Sequence, residues 1–182
     1  MRLIEYSLPL LNHDLETFQA TVQGVSDIYG NLFDMLLRTG LRLNELTNLN
    51  RWAVVPGVGF SCILEKNSGT RIFTASEIPA YFVNELGQEN SYFNHLNTST
   101  ANYYFRNFYP KSYCQIGNKG VATHLFRHCY VKNLEASGLD VAQISTIIAE
   151  RSQANTLGYM RSRVMYGGLG GFSSGYSSGF NN

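Results

Sequence analysis

Apolar residues recur at helical spacing between residues 14 and 38: Leu15, Phe18 and Val22, then Ile28, Leu32, Met35 and Leu36. A 3.6-residue period gathers such positions into one stripe that must be buried. Gly24 and Gly30 interrupt the stretch, which therefore predicts two antiparallel helices or one broken helix, with Asn12 or Asp14 as the cap. Leu43, Leu46 and Leu49 predict a short helix over 41–49, after the punctuation at Thr39-Gly40. The pattern then changes to short apolar runs at 52–55, 60–64 and 71–74, separated by the turn signals Pro56-Gly57 and Asn67-Ser68-Gly69. Short runs bounded by such turns predict a small antiparallel sheet of three strands. Helical patterns return over 76–86 with Pro79 in the first turn, over 98–109 before Pro110, and over 121–137 before Gly138. Asp140 caps a further helix from Val141 to about Glu150, a short one covers 155–160, and residues 111–120 read as a loop. The order predicts a mainly helical α+β domain with a three-stranded antiparallel sheet at one edge.

From Gly167 onward the chain is almost entirely glycine, serine and spaced aromatics. Such a segment offers no continuous face to bury. The expected organisation is one domain over 1–166 and a flexible tail over 167–182, solvated or making weak stacking and self-association contacts. No run of 18 apolar residues occurs, and the start Met1-Arg2-Leu3-Ile4-Glu5-Tyr6 lacks an extended apolar region. No membrane partner is expected, and the expected location is cytoplasmic. Cys62, Cys114 and Cys129 are widely spaced, which fits reduced, buried thiols better than a disulfide framework or a metal knuckle. The net charge of +1 does not by itself point to nucleic acid. There is no Gly-rich GxxxxGK[ST] loop, and Asp27, Asp34 and Asp140 are scattered, so neither a cofactor nor a metal is expected.

The chemistry must therefore come from local constellations. His124 and Arg127 lie three apart in Thr123-His124-Leu125-Phe126-Arg127-His128, on one face of a helix. An arginine presents a planar fork of donors to phosphate, and a histidine adds a donor or a proton carrier. Arg42 follows Thr39-Gly40 at the start of a helix, with Glu45 three residues on to pair with it and hold it. Each pattern alone is also compatible with an ordinary surface ion pair or a chance HxxR.

Together they carry more. Thr39-Gly40-Leu41-Arg42 with Glu45-Leu46 resembles the first signature box of the tyrosine recombinase, or phage integrase, family, and Thr123 to His128 resembles its second, HxLRH-like box. Leu134 to Asp140 resembles the helix end and turn after the second box. Asn155-Thr156-Leu157-Gly158-Tyr159 resembles the segment that carries the nucleophile, and Lys66-Asn67-Ser68-Gly69-Thr70-Arg71 resembles the hairpin that supplies a catalytic lysine. The resemblance runs over residues 10–160 in the family's order.

The resemblance implies the fold of a tyrosine recombinase catalytic domain and site-specific DNA breakage and rejoining through a 3′-phosphotyrosine, as in integration, inversion or resolution by mobile elements. Arg42 and Arg127 would hold the scissile phosphate, His124 would donate a hydrogen bond or manage a proton, Lys66 would protonate the leaving oxygen, and Tyr159 would be the nucleophile. The partner would be double-stranded DNA, within the nucleoid, with self-assembly into a tetramer at synapsis. Arg51, Arg71, Lys111, Lys119, Lys132 and Arg151 are candidates for phosphate contacts. Residues 102–109 are rich in aromatics and read as core rather than as a stacking surface. Residues 160–166 would dock on a neighbouring protomer or end the fold as a frayed segment.

Two departures stand out. The family carries histidine or tryptophan nine residues before the nucleophile, where this chain has Glu150. Either Glu150 turns away and Arg151 substitutes, or the site is tuned differently, because negative charge near a phosphate opposes catalysis. The family's N-terminal DNA clamp also has no counterpart ahead of the first box, which suggests a catalytic domain alone, either a fragment or a minimal invertase-type enzyme. The alternatives are a catalytically weak DNA-binding relative and a type IB topoisomerase-like relaxing activity.

Overall fold

The computed structural model describes residues 3–65, 69–111, 114–116, 119–120 and 122–167. Lys66 and residues 168–182 of the expected tail lie outside the described residues. Strand β1 (Leu3–Glu5) leads into helix α1 (Leu8–Gln23) and helix α2 (Asp27–Thr39). Helix α3 (Leu43–Thr47) and a single 3-10 turn (Leu49–Arg51) precede strands β2 (Trp52–Val55), β3 (Gly59–Ile63) and β4 (Thr70–Thr74). The one-turn helix α4 (Ala80–Val83), a 3-10 turn (Tyr92–His95) and helix α5 (Thr98–Phe108) follow. Next come strands β5 (Cys114–Ile116) and β6 (Lys119–Gly120), helices α6 (His124–Ala136), α7 (Val141–Ile147) and α8 (Gln153–Arg161), and strand β7 (Val164–Gly167). The architecture is mainly helical α+β with a three-stranded antiparallel sheet, as expected.

Helix α1 begins earlier than the apolar stripe. Ser7 precedes it and Pro9 stands in its first turn, so Asn12 and Asp14 lie inside the helix rather than capping it. The break falls at Gly24. Gly30 lies inside α2, where a Cβ would collide with the backbone and side chain of Gln23, so this glycine permits close approach of α1 and α2. Phe18 is fully buried and draws four elements together: its ring lies 4.6 Å from Phe33, 5.3 Å from Phe105, 5.8 Å from Tyr109 and 6.1 Å from Phe126. The 102–109 aromatics thus split, with Phe105 and Tyr109 in the core and Tyr103 exposed.

The β2–β3–β4 sheet turns Phe60, Cys62, Arg71 and Phe73 inward. The sequence pattern missed a second sheet. Its order is β1-β7-β5-β6, all antiparallel, with Leu3 opposite Gly167 and Cys114 opposite Tyr166. Part of the expected 111–120 loop is therefore strand, and residues 164–166 are neither frayed nor free. They pair within their own chain, together with Gly167. A buried polar knot secures this sheet: the Tyr6 hydroxyl donates to Asp14 (2.9 Å) and meets the Tyr109 hydroxyl (3.1 Å), while Lys111 lies 3.4 Å from Asp14. Burial pushes both phenols far above their ordinary range.

Candidate active site

The C-terminus of α2 sets the first part of the site. Gly40 caps it in the left-handed region (φ 60°), donating to the Leu36 carbonyl, and a Cβ there would come within 2.5 Å of the Tyr130 ring. The last carbonyls of a helix are unpaired and carry partial negative charge. Two buried arginines use them: Arg71 donates to the Thr39 carbonyl and Arg127 to the Gly40 carbonyl (3.1 Å). Arg71 also donates to the Tyr130 hydroxyl (2.7 Å) and lies over the Phe73 ring. It is 4% exposed, which removes it from the phosphate-contact candidates and makes it a structural arginine. Burial also lowers its proton affinity.

Arg42 starts α3. Glu45, fully buried, accepts from the Arg42 backbone N–H (2.7 Å), the Arg42 guanidinium (3.0 Å) and the Glu65 N–H (3.1 Å). The pairing expected from spacing is thus present, and Glu45 also ties Arg42 to Glu65, just beyond the end of β3. Burial works against the charged form of Arg42, but Glu45, Tyr159 and Glu150 more than offset it, so its proton is held more tightly than usual.

Helix α6 presents His124, Arg127 and His128 along one side. Helix α8 brings Tyr159 against them, anchored in a small apolar cluster around Val131, Ile144 and Ile148. The Tyr159 ring centroid lies 5.6 Å from that of His124 and 4.8 Å from that of His128, with the Arg127 guanidinium 5.3 Å away. His124 is exposed, whereas His128 is buried and shares a 3.0 Å hydrogen bond with Ser162. Burial, then the neighbouring charges of His124, Lys132 and Arg127, depress His128 to about 3, so it is neutral near pH 7. Its place beside the tyrosine went unassigned in the sequence, although its position four residues after His124 was the signal.

Arg42, His124, His128, Glu150, Arg151, Asn155 and Tyr159 line one cavity of about 590 Å³. A smaller one of about 210 Å³, bounded by Glu65, Thr98, Thr123 and Arg127, shares Arg42 and His124 as its wall. Glu150 does not turn away. Its Oε2 lies 3.3 Å from Arg42 and 3.6 Å from Arg127, and its Oε1 accepts from Asn155 (3.2 Å). Arg151 remains exposed at the cavity edge and does not replace it. Among the described residues, Nε and Nη2 of Arg127 have no hydrogen-bond partner, although the side chain is 1% exposed. Of the other basic candidates, Lys111 pairs with Asp14, Lys132 donates to the Met160 carbonyl and Arg51 to that of Ile63. No group of metal-ligating side chains occurs among the described residues.

The fold is similar to that of XerA recombinase, known from a crystal structure, with a TM-score of 0.58 and 20% sequence identity over 86% of this chain. The matched region spans 58% of that recombinase. No protein-family model matches the sequence, and neither does any curated protein.

Proposed function

We propose that this chain is the catalytic part of a tyrosine recombinase-type enzyme that breaks and rejoins double-stranded DNA through a phosphotyrosine. The observation that carries the reading is the convergence of Arg42, His124, Arg127 and Tyr159, from three separate helices, around adjoining cavities. The recombinase fold supports it.

In this reading Arg42 and Arg127 neutralise the non-bridging oxygens of a phosphodiester, where charge builds up in the in-line transition state. Arginine suits the task because its planar fork donates two parallel hydrogen bonds. A phenol is a weak nucleophile near neutrality because its pKa is about 10, so it needs a base and an electrophilic phosphorus. Exposed His124 takes the Tyr159 proton as the phenolic oxygen bonds to phosphorus. His128 is too weakly basic for this and instead holds the turn after α8 through Ser162. The bond to the 5′ oxygen breaks, and Lys66 protonates that oxygen, a role that rests on the resemblance of its hairpin. Rejoining reverses these steps with a new 5′ hydroxyl, so no nucleotide hydrolysis is needed. Assembly into a tetramer on DNA belongs to the same reading.

Glu150 favours a second reading, a relative that binds DNA and cleaves it weakly, because its carboxylate sits between the two arginines. A nicked suicide duplex drawn from the sequences flanking the encoding element separates the two. The first predicts a denaturant-resistant protein–DNA adduct that disappears in Tyr159→Phe. The second predicts binding without adduct.

A further inference from the structure

We infer that the Glu150 carboxylate is a built-in competitor for phosphate: it closes the two-arginine site in the free protein and must leave before a phosphodiester can enter. The inference rests on the reading of Arg42 and Arg127 as a phosphate site. Its ground is the placement of one carboxylate oxygen, 3.3 Å from Arg42 and 3.6 Å from Arg127. A non-bridging phosphate oxygen has the same charge preference and needs the same donors.

The charge balance makes the competition strong. The guanidiniums of Arg42 and Arg127 face two carboxylates, Glu45 and Glu150. Glu45 is fully enclosed and satisfied by three donors, so it is a fixed part of the site. With Glu150 in place the four groups sum to no net charge, and an incoming anion meets a carboxylate. With Glu150 withdrawn, one positive charge is uncovered on side chains that are mostly buried, where electrostatic attraction is stronger than in water.

Glu150 is held by fewer and longer hydrogen bonds than Glu45: 3.3 Å from Arg42 and 3.2 Å from Asn155, against three of 2.7–3.1 Å at Glu45. It stands on the α7–α8 connection, immediately after Ala149, whose φ of 49° lies in the left-handed region that disfavours a side chain. The turn is closed by the Glu150 N–H donating to the Ser145 carbonyl (2.8 Å). The contact with Arg127 at 3.6 Å is longer than a hydrogen bond, and among the described residues buried Arg127 keeps two donors, Nε and Nη2, without a hydrogen-bond partner. A phosphate brings several acceptor oxygens and can satisfy donors that one carboxylate oxygen leaves unmet.

Inorganic phosphate is the probe. Calorimetric titration of the full chain is compared for the wild type, Glu150→Gln, and Glu150→Asp, which shortens the side chain by one methylene. Glu135→Gln, at an exposed position near the far end of α6, makes the same change in net charge. The expected result is phosphate binding at least tenfold tighter in Glu150→Gln, an intermediate gain in Glu150→Asp and none in Glu135→Gln. Phosphate should also raise the melting temperature of Glu150→Gln more than that of the wild type. Equal affinities in the wild type and both Glu150 variants, or an equal gain in Glu135→Gln, would overturn the inference. The same proteins on the nicked duplex keep the two readings apart. Tighter phosphate in Glu150→Gln with duplex binding but no adduct from any protein supports the competitor while removing the cleavage reading. A wild-type adduct with unchanged phosphate affinity overturns the competitor and leaves cleavage standing.

Discussion

Glu45→Gln keeps the shape of a fully buried side chain and removes its charge. The carboxylate accepts three hydrogen bonds, from the Arg42 N–H at one oxygen and from the Arg42 guanidinium and the Glu65 N–H at the other. An amide has one acceptor oxygen. In its better orientation that oxygen keeps the guanidinium and Glu65 bonds, weakened together by about 1 kcal/mol on loss of charge assistance. The amide NH2 then faces the Arg42 N–H, leaving buried donors opposed at a cost of about 1–3 kcal/mol. The sum is a loss of about 3 kcal/mol, which for a chain of this size lowers the melting temperature by about 6–12 °C. Trp52, the single tryptophan, donates its indole N–H to the Glu45 carbonyl and so reports on this region by fluorescence during urea unfolding. A loss below about 0.5 kcal/mol, the range of surface substitutions, would refute the claim that Glu45 is an enclosed anchor for Arg42.

Other perturbations follow from the same geometry. His128 is depressed to about 3 in the fold, while an unfolded histidine titrates near 6.5, so between these values the unfolded chain binds the extra proton. Stability should fall as pH drops through this window, and His128→Asn should flatten urea midpoints measured from pH 6.5 to 4; an unchanged slope would contradict the assignment. Gly40→Ala places a Cβ in the left-handed region and against the Tyr130 ring, so an unfolding free energy lower by about 2 kcal/mol or more is expected, and a neutral substitution would show that the cap is not as described. Burial raises the thiols of Cys62 and Cys129 to about 12 and Cys114 to about 11, so a disulfide reagent at pH 8 should label none in the native protein and all three in denaturant. Phe18→Ala should cost about 3–5 kcal/mol by chemical denaturation, because the ring joins four elements.

The β2–β4 sheet was legible because its turns carry local chemistry and its neighbours in sequence are its neighbours in space. The β1-β7-β5-β6 sheet was not: strands of two to four residues are too short to show alternation, and Leu3 finds its partner at Gly167. Helix 76–86 shrank to Ala80–Val83, since Pro79 sets its start and the residues beyond Val83 form turns instead. At the site, the grouping of Arg42 with Glu45 and of His124 with Arg127 follows from helical spacing. Their meeting with Tyr159 is a tertiary fact that only the family resemblance anticipated. Arg71 was misread as a phosphate contact although it shares strand parity with Phe73; an arginine at an inward position was the available sign that it is buried. The departure at Glu150 was visible by counting back from Tyr159, but a carboxylate's choice between turning out and bridging two arginines depends on where those arginines lie.

The central claim is that Tyr159 forms the bond to DNA, and mapping that bond is its most direct test. The protein is incubated with a nicked suicide duplex, the mixture is denatured and digested, and the nucleotide-bearing peptide is sequenced by mass spectrometry. The account predicts a phosphodeoxynucleotide on the peptide that contains Tyr159, localised to that residue. A nucleotide attached to any other residue would contradict it.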